Sequence, residues 1–109
     1  MKVEIMERKP GVYVLHIEGD VDMSNSPNVR KVLVPTFEKG PSHIIVDLSG
    51  VPYIDSSGIA TMVEGLQLSR KSGVRLTLAG MGSTVAAVFE LAYLKDVFEI
   101  VPDVEQLFQ

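Results

Sequence analysis

The chain has 109 residues, 46% of them apolar, with 14 acidic against 10 basic side chains and no cysteine. A chain of that size and apolar share reads as one folded domain, residues 1–109, with its own core. The absence of thiols excludes disulfides, thiolate metal sites and a catalytic cysteine, and the net charge of −4 speaks against a nucleic-acid partner.

Val3–Glu7 (VEIME) alternates apolar and polar residues, and Val12–Glu18 (VYVLHIE) follows across Pro10–Gly11; the pair reads as a β-hairpin. Glu4, Glu7, Arg8 and Lys9 break the apolar runs, so no signal-peptide core is expected here. Nor does any stretch approach the roughly 20 apolar residues that cross a bilayer. The expected setting is the cytoplasm, without membrane insertion. A polar loop then leads to Ser26–Pro27, an N-cap followed by proline at the first helical position. Val29, Val32, Leu33 and Phe37 keep helical spacing to about Lys39, with Pro35 expected to kink the helix and Gly40 to end it.

His43–Ser49 (HIIVDLS) is nearly continuous in apolar residues, which predicts a strand covered on both faces. Ile59, Met62, Val63 and Leu66 form the stripe of a second helix ending near Gly73. Val74–Gly80 reads as a strand, Val85, Val88, Phe89 and Ala92 as a third helical stripe, and Val97–Val101 as a last strand. A short terminal helix follows, with Asp103 and Gln106 at capping-box spacing. The order β-β-α-β-α-β-α-β-α predicts an α/β fold: a mixed, mostly parallel sheet with helices packed on it, its first strand antiparallel at an edge.

In such sheets function gathers at the carboxyl ends of the parallel strands. Residues 19–26 (GDVDMSNS), 49–58 (SGVPYIDSSG) and 79–83 (AGMGS) reach that edge, bringing Asp20, Asp22, Asp55, Ser56, Ser57, Met23 and Met81. A serine hydrolase fits poorly: the G-x-S-x-G elbow is missing, His43 opens its strand roughly 20 Å from this edge, and His16 lies inside a strand. The P-loop pattern is also missing, since GMGS has no lysine. Asp20, Asp22 and Asp55 could hold Mg²⁺ as in a phosphoaspartate receiver, but the third loop has no lysine and the leading hairpin is foreign to that fold. From the residues alone two readings of Ser56 and Ser57 stand. They cap the helix, as serine commonly does, or one of them accepts a phosphate at the positive end of the helix dipole. In the second reading Gly58 lets a partner's backbone come close.

Three features carry a resemblance: IEGDVD, HIIVDLSGVPYIDSSGIA, and the order of elements over the whole chain. The chain resembles the STAS-domain family, specifically its bacterial anti-sigma-factor antagonists. The resemblance implies a protein that catalyses nothing and needs no cofactor or metal. Unphosphorylated, such a protein binds an anti-sigma factor that is also a serine kinase with bound ATP, and so frees a sigma factor. Phosphorylation of the serine after the aspartate, here Ser56, releases it, and a separate serine phosphatase resets the switch. The partner surface expected on this basis comprises Asp22, Met23, Ser24, Asp55, Ser57, Gly58, Ile59 and Met81. The resemblance also covers an alternative, an accessory STAS subunit that binds the ATPase of an ABC-type lipid transporter.

Overall fold

Gly11 takes a φ of 77°, a backbone that costs glycine nothing, and folds β1 (Lys2–Lys9) back on β2 (Val12–Glu18) as an antiparallel pair. The computed structural model describes residues 1–109. After β2 come α1 (Ser26–Thr36), β3 (His43–Gly50), α2 (Ser56–Ser72), β4 (Arg75–Ala79), α3 (Ser83–Leu91) and β5 (Glu99–Val101). Short 3₁₀ turns at Phe37–Lys39 and Val104–Phe108 follow α1 and β5. The five strands lie in the order β1-β2-β3-β4-β5, with β2/β3, β3/β4 and β4/β5 parallel. This is the mixed sheet that the sequence predicts.

Several local expectations need correction. The N-cap of α1 is Asn25, not Ser26; the Asp22 carbonyl accepts from the amides of both. The helix runs through Pro35 to Thr36 and then tightens into the 3₁₀ turn, so the proline falls in its last turn. The third helix stops at Leu91, leaving Ala92 exposed, because Tyr93 turns the chain at a φ of 58°. The last strand begins at Glu99; the amide of Val97 bonds instead to Leu94 in the preceding turn. The terminal segment is a 3₁₀ turn in which the Asp103 side chain accepts from the Glu105 amide, with no reciprocal bond from Gln106.

The larger correction concerns the two faces of the sheet. Every parallel crossover advances in the same direction across the sheet, and right-handed crossovers that never reverse leave their helices on one side. Val29 and Leu33 of α1, Ile59 and Met62 of α2, and Val85 and Phe89 of α3 all pack on Leu15, Ile17, Ile44, Val46, Leu48, Leu76 and Leu78. Phe89 meets Phe98 edge-on at 5.6 Å between ring centres. The opposite face carries a smaller cluster of Val12, Val14, Ile45 and Ala79, covered by Val104, Leu107 and Phe108 of the last turn. Arg8 clamps that turn through two 2.9 Å bonds to Glu105 and lies 4.3 Å from the centre of the Phe108 ring. Towards β1 this face is open, a groove of about 590 Å³ lined by Glu4, Met6, Arg8, Val14, His16 and Asp47 among others. Both-sided cover of β3 therefore holds at Ile45 and comes from the terminal turn rather than from a helix.

At the amino ends of β3 and β4 a polar chain crosses this second face. Thr77 gives its proton to Glu99 Oε1 at 2.6 Å and so accepts from His43 Nε2 at 2.8 Å, while Arg75 forks onto Glu99 at 2.9 and 2.5 Å. Arg75 above all, with Thr77 assisting, lowers the Glu99 carboxyl from its ordinary 4.5 to about 2. A carboxyl whose pKa is lower folded than unfolded stabilises the fold above its unfolded value and loses that contribution as pH falls through the folded value. Urea midpoints should therefore drop between about pH 4.5 and pH 2. Glu99→Gln should flatten that part of the curve, leaving the slope due to Asp47, Asp55 and Glu105, whose carboxyls are also lowered. An unchanged slope in Glu99→Gln would contradict the assignment.

Candidate functional site

Beyond β2 and β3 the two segments stay paired for one more step. Val21 bridges Ile54 in parallel: the Val21 amide donates to Tyr53 O at 3.0 Å, and Val21 O accepts from the Asp55 amide at 3.1 Å. This places Asp22 and Asp55 side by side at the carboxyl edge, as the sequence predicts.

Asp55 is the N-cap of α2, in extended conformation. Its Oδ1 accepts from the amides of Ser57 and Gly58, at 2.9 and 3.2 Å, and from the Ser57 hydroxyl at 2.6 Å. Its Oδ2 accepts from the Met23 amide at 3.2 Å. The Ser57 hydroxyl first, then the amides of Gly58, Ser57 and Met23, hold the Asp55 carboxyl below the usual carboxylate range. The Asp55 carboxylate is thus charged at neutral pH. Capping falls to the aspartate, and neither serine performs it.

The two serines are then in different states. Ser57 is half-buried with its hydroxyl committed to Asp55. Ser56, the first residue of α2, is exposed, and its hydroxyl makes no hydrogen bond within the chain. Asp22 serves the preceding turn, its Oδ1 accepting from the Ser24 amide and hydroxyl and from the Asn25 amide at 3.0, 2.7 and 3.1 Å. Both aspartates are therefore spent on amides. No three Asp, Glu or His side chains stand together as metal ligands, which removes the ground for the receiver reading. Neither histidine meets these serines. His16 donates from Nδ1 to Asp47 at 2.8 Å on the open face, and His43 is buried against Thr77.

The apolar members of the expected surface separate in the same way. Met23 is 78% exposed. Ile59 is only 9% exposed and belongs to the main core, and Met81 is partly buried against that core. Gly58 is buried, and a β-carbon there would lie 2.5 Å from Ile54 Cγ1 and 2.6 Å from Val21 O. Its smallness serves the chain's own close approach at the Val21–Ile54 bridge, not that of a partner. Tyr53, exposed at this edge and absent from the expected surface, is a further candidate contact. An aromatic residue in a polar loop, two positions before the cap, is the signal that could have found it. The third loop leads into α3, whose first residues border a cleft of about 460 Å³ with Ser49–Pro52, Gly80 and Gly82. The cleft brings no titratable side chain to the site.

No helix is long and apolar enough to cross a membrane. A family model described as "STAS domain" matches residues 5–107. The chain belongs to the STAS domain family. Among its relatives is the anti-sigma-B factor antagonist of Bacillus subtilis, 28% identical over 100 residues that make up 92% of this chain and 90% of the relative. An anti-sigma factor antagonist from Mycobacterium paratuberculosis superposes with a TM-score of 0.85 at 19% identity, over 98% of this STAS chain and 92% of its own. The antagonist SpoIIAA in its unphosphorylated form gives 0.84 at 17% identity, over 98% and 93%. SpoIIAA is also known in a phosphorylated form with the same fold, at a TM-score of 0.77, 17% identity and 98% and 96% coverage.

Proposed function

We propose that this STAS chain is an anti-sigma-factor antagonist that acts as a phosphorylation-controlled partner switch. Unphosphorylated, it binds an anti-sigma factor that is also a serine kinase with bound ATP, and a sigma factor is freed; phosphate on Ser56 ends the contact, and a serine phosphatase restores it. In this scheme the chain is ligand and substrate in the cytoplasm and catalyses nothing. The observation that carries the reading is the hydroxyl of Ser56: exposed, free of intramolecular bonds, and at the amino end of α2 beside a charged cap. A kinase meets no competing hydrogen bond there, whereas Ser57 must first give up its 2.6 Å bond to Asp55. The relatives named as anti-sigma factor antagonists support the same reading.

The direct test incubates the chain with ATP and the kinase-type anti-sigma factor of the same bacterium, then locates the phosphate by mass spectrometry. Phosphate on Ser56 is expected. Phosphate on Ser57 alone moves the acceptor by one residue, and none on either serine favours the transporter-subunit reading. Met23 supplies a second test. Met23→Glu should weaken capture of the anti-sigma factor at least tenfold while changing the stability by no more than the few tenths of a kcal/mol usual at the surface. Ile59→Glu should unfold the chain instead, because it buries a charge in the main core. Equal loss of stability in both variants would exclude Met23 as a contact.

A further inference from the structure

We propose that Asp55 is a positioning residue for partner binding, its carboxylate fixing the Met23 loop against the phosphoacceptor end of α2. The inference rests on the reading of this edge as an antagonist's binding surface.

Capping α2 needs one acceptor, and Oδ1 of Asp55 meets that need alone, taking the amides of Ser57 and Gly58 and the Ser57 hydroxyl. Serine or asparagine at this position would cap as well. The second oxygen does something that capping does not require. It accepts at 3.2 Å from the amide of Met23, 32 positions earlier in the chain. Backbone pairing between the two loops ends at Val21, and Met23 makes no other backbone hydrogen bond. With its side chain 78% exposed, Met23 has little packing to hold it. Asp22 closes the Met23 turn on itself, and the charged bond from the Met23 amide to Asp55 ties that turn to the end of α2 that carries the Ser56 hydroxyl. A partner that engages both finds them already spaced and loses less freedom on binding.

Two substitutions separate the bracket from the cap. Asp55→Asn keeps an acceptor for Ser57 and Gly58 but turns an N–H₂ donor towards the Met23 amide, and Asp55→Ser caps α2 but is too short to reach Met23. In both, amide exchange at Met23 measured by NMR should rise about tenfold, the factor that one charge-assisted hydrogen bond is worth, with the amides of α2 beyond its first turn unchanged. The functional arm uses a clarified extract of the encoding bacterium, supplied with ATP, as the kinase source. Ser56 phosphate is followed by mass spectrometry as the concentration of the added chain is raised. Asp55→Asn should raise the apparent KM about tenfold, far more than it lowers the maximal rate. In a Met23→Ala background it should add almost nothing, because the two residues act as one. Effects of Asp55→Asn and Met23→Ala that multiply overturn the inference, as does an unchanged KM once the Met23 amide is released, while Ser56 phosphorylation of the unaltered chain stands. In the unaltered chain, phosphate on Ser57 alone overturns the inference, and phosphate on neither serine overturns the functional reading with it.

Discussion

Ser56→Ala should bind the kinase-type anti-sigma factor as tightly as the unaltered chain and stay bound when ATP is added. The unaltered chain should be released. Phosphate adds about −1.5 to −2 charges at Ser56, next to an Asp55 carboxyl that its hydrogen bonds keep ionised. At roughly 6 Å and an effective dielectric near 20, each pair of unit charges repels by about 3 kcal/mol before screening. Attraction to the positive end of α2, about 0.3–2 kcal/mol, offsets part of this. In the free chain the exposed position leaves the remaining repulsion to water and salt, so the fold should be retained. In a complex the same loop is desolvated. A penalty of about 3–4 kcal/mol there weakens binding several-hundred-fold. Ser56→Asp should bind poorly, by less than the full factor because it carries one charge and fewer acceptor oxygens. Ser57→Ala should still accept phosphate at Ser56, with a small loss of stability from the missing 2.6 Å bond. Calorimetric titration before and after ATP, with mass spectrometry of the released chain, measures all of these. Release of Ser56→Ala by ATP would refute the switch.

A single methyl group at Gly58 is expected to cost a large part of the stability. A methyl group there meets Ile54 Cγ1 at 2.5 Å and Val21 O at 2.6 Å. The isoleucine can rotate, but the carbonyl is the acceptor for the Asp55 amide and cannot withdraw without breaking the bridge between the loops. Alanine gains about 1 kcal/mol of helix propensity over glycine, against an overpacking cost of about 3–4 kcal/mol. The net loss of about 2–3 kcal/mol should lower the melting temperature by about 10–20 °C. Gly82→Ala is the matched control. Gly82 is the N-cap of α3, at a φ of −74°, and nothing lies within 4 Å of a β-carbon there. It should cost no more than about 1 kcal/mol. Equal melting temperatures for the two variants would show that the loops yield at Val21 and that the bridge is soft.

The sequence was legible wherever one neighbour decides the outcome. The bounds of β2 follow from the turn signals on either side of it, Pro10–Gly11 and Gly19, and Asp22 meets Asp55 because parallel strands must end at a common edge. It was less legible where distant segments decide. Lys2, Arg8 and Lys9 hide the ends of β1, which pairing with β2 recruits despite their charge. The continuous run of β3 reports apolar surroundings but not their source, and only the strand order places the helices on one face. At the site, the pattern around Ser56 marks a helix start without revealing that Asp55 reaches back to Met23. Gly58 signals a close approach, and the sequence does not say whether the approaching backbone is the chain's own. Ile59 lies on the core stripe and in the first turn of α2 at once, and packing against the sheet decides for the core.

The order of the strands across the sheet has a consequence for how the protein is made. Because that order repeats the order in the chain, each strand leaving the ribosome finds its neighbour already synthesised, and no strand waits for a later one to fill a gap. The growing edge passes from β2 to β3 to β4 and stops at β5, which spans only Glu99–Val101 and offers little backbone for pairing with another molecule. Ser56 and Asp22 are brought together once β3 has docked on β2, more than half of the way through the polypeptide and well before its last segment emerges. The edge proposed to act as the switch is therefore complete in the earlier part of the chain, while the late segments supply the cover of the second face and Phe98 of the main core.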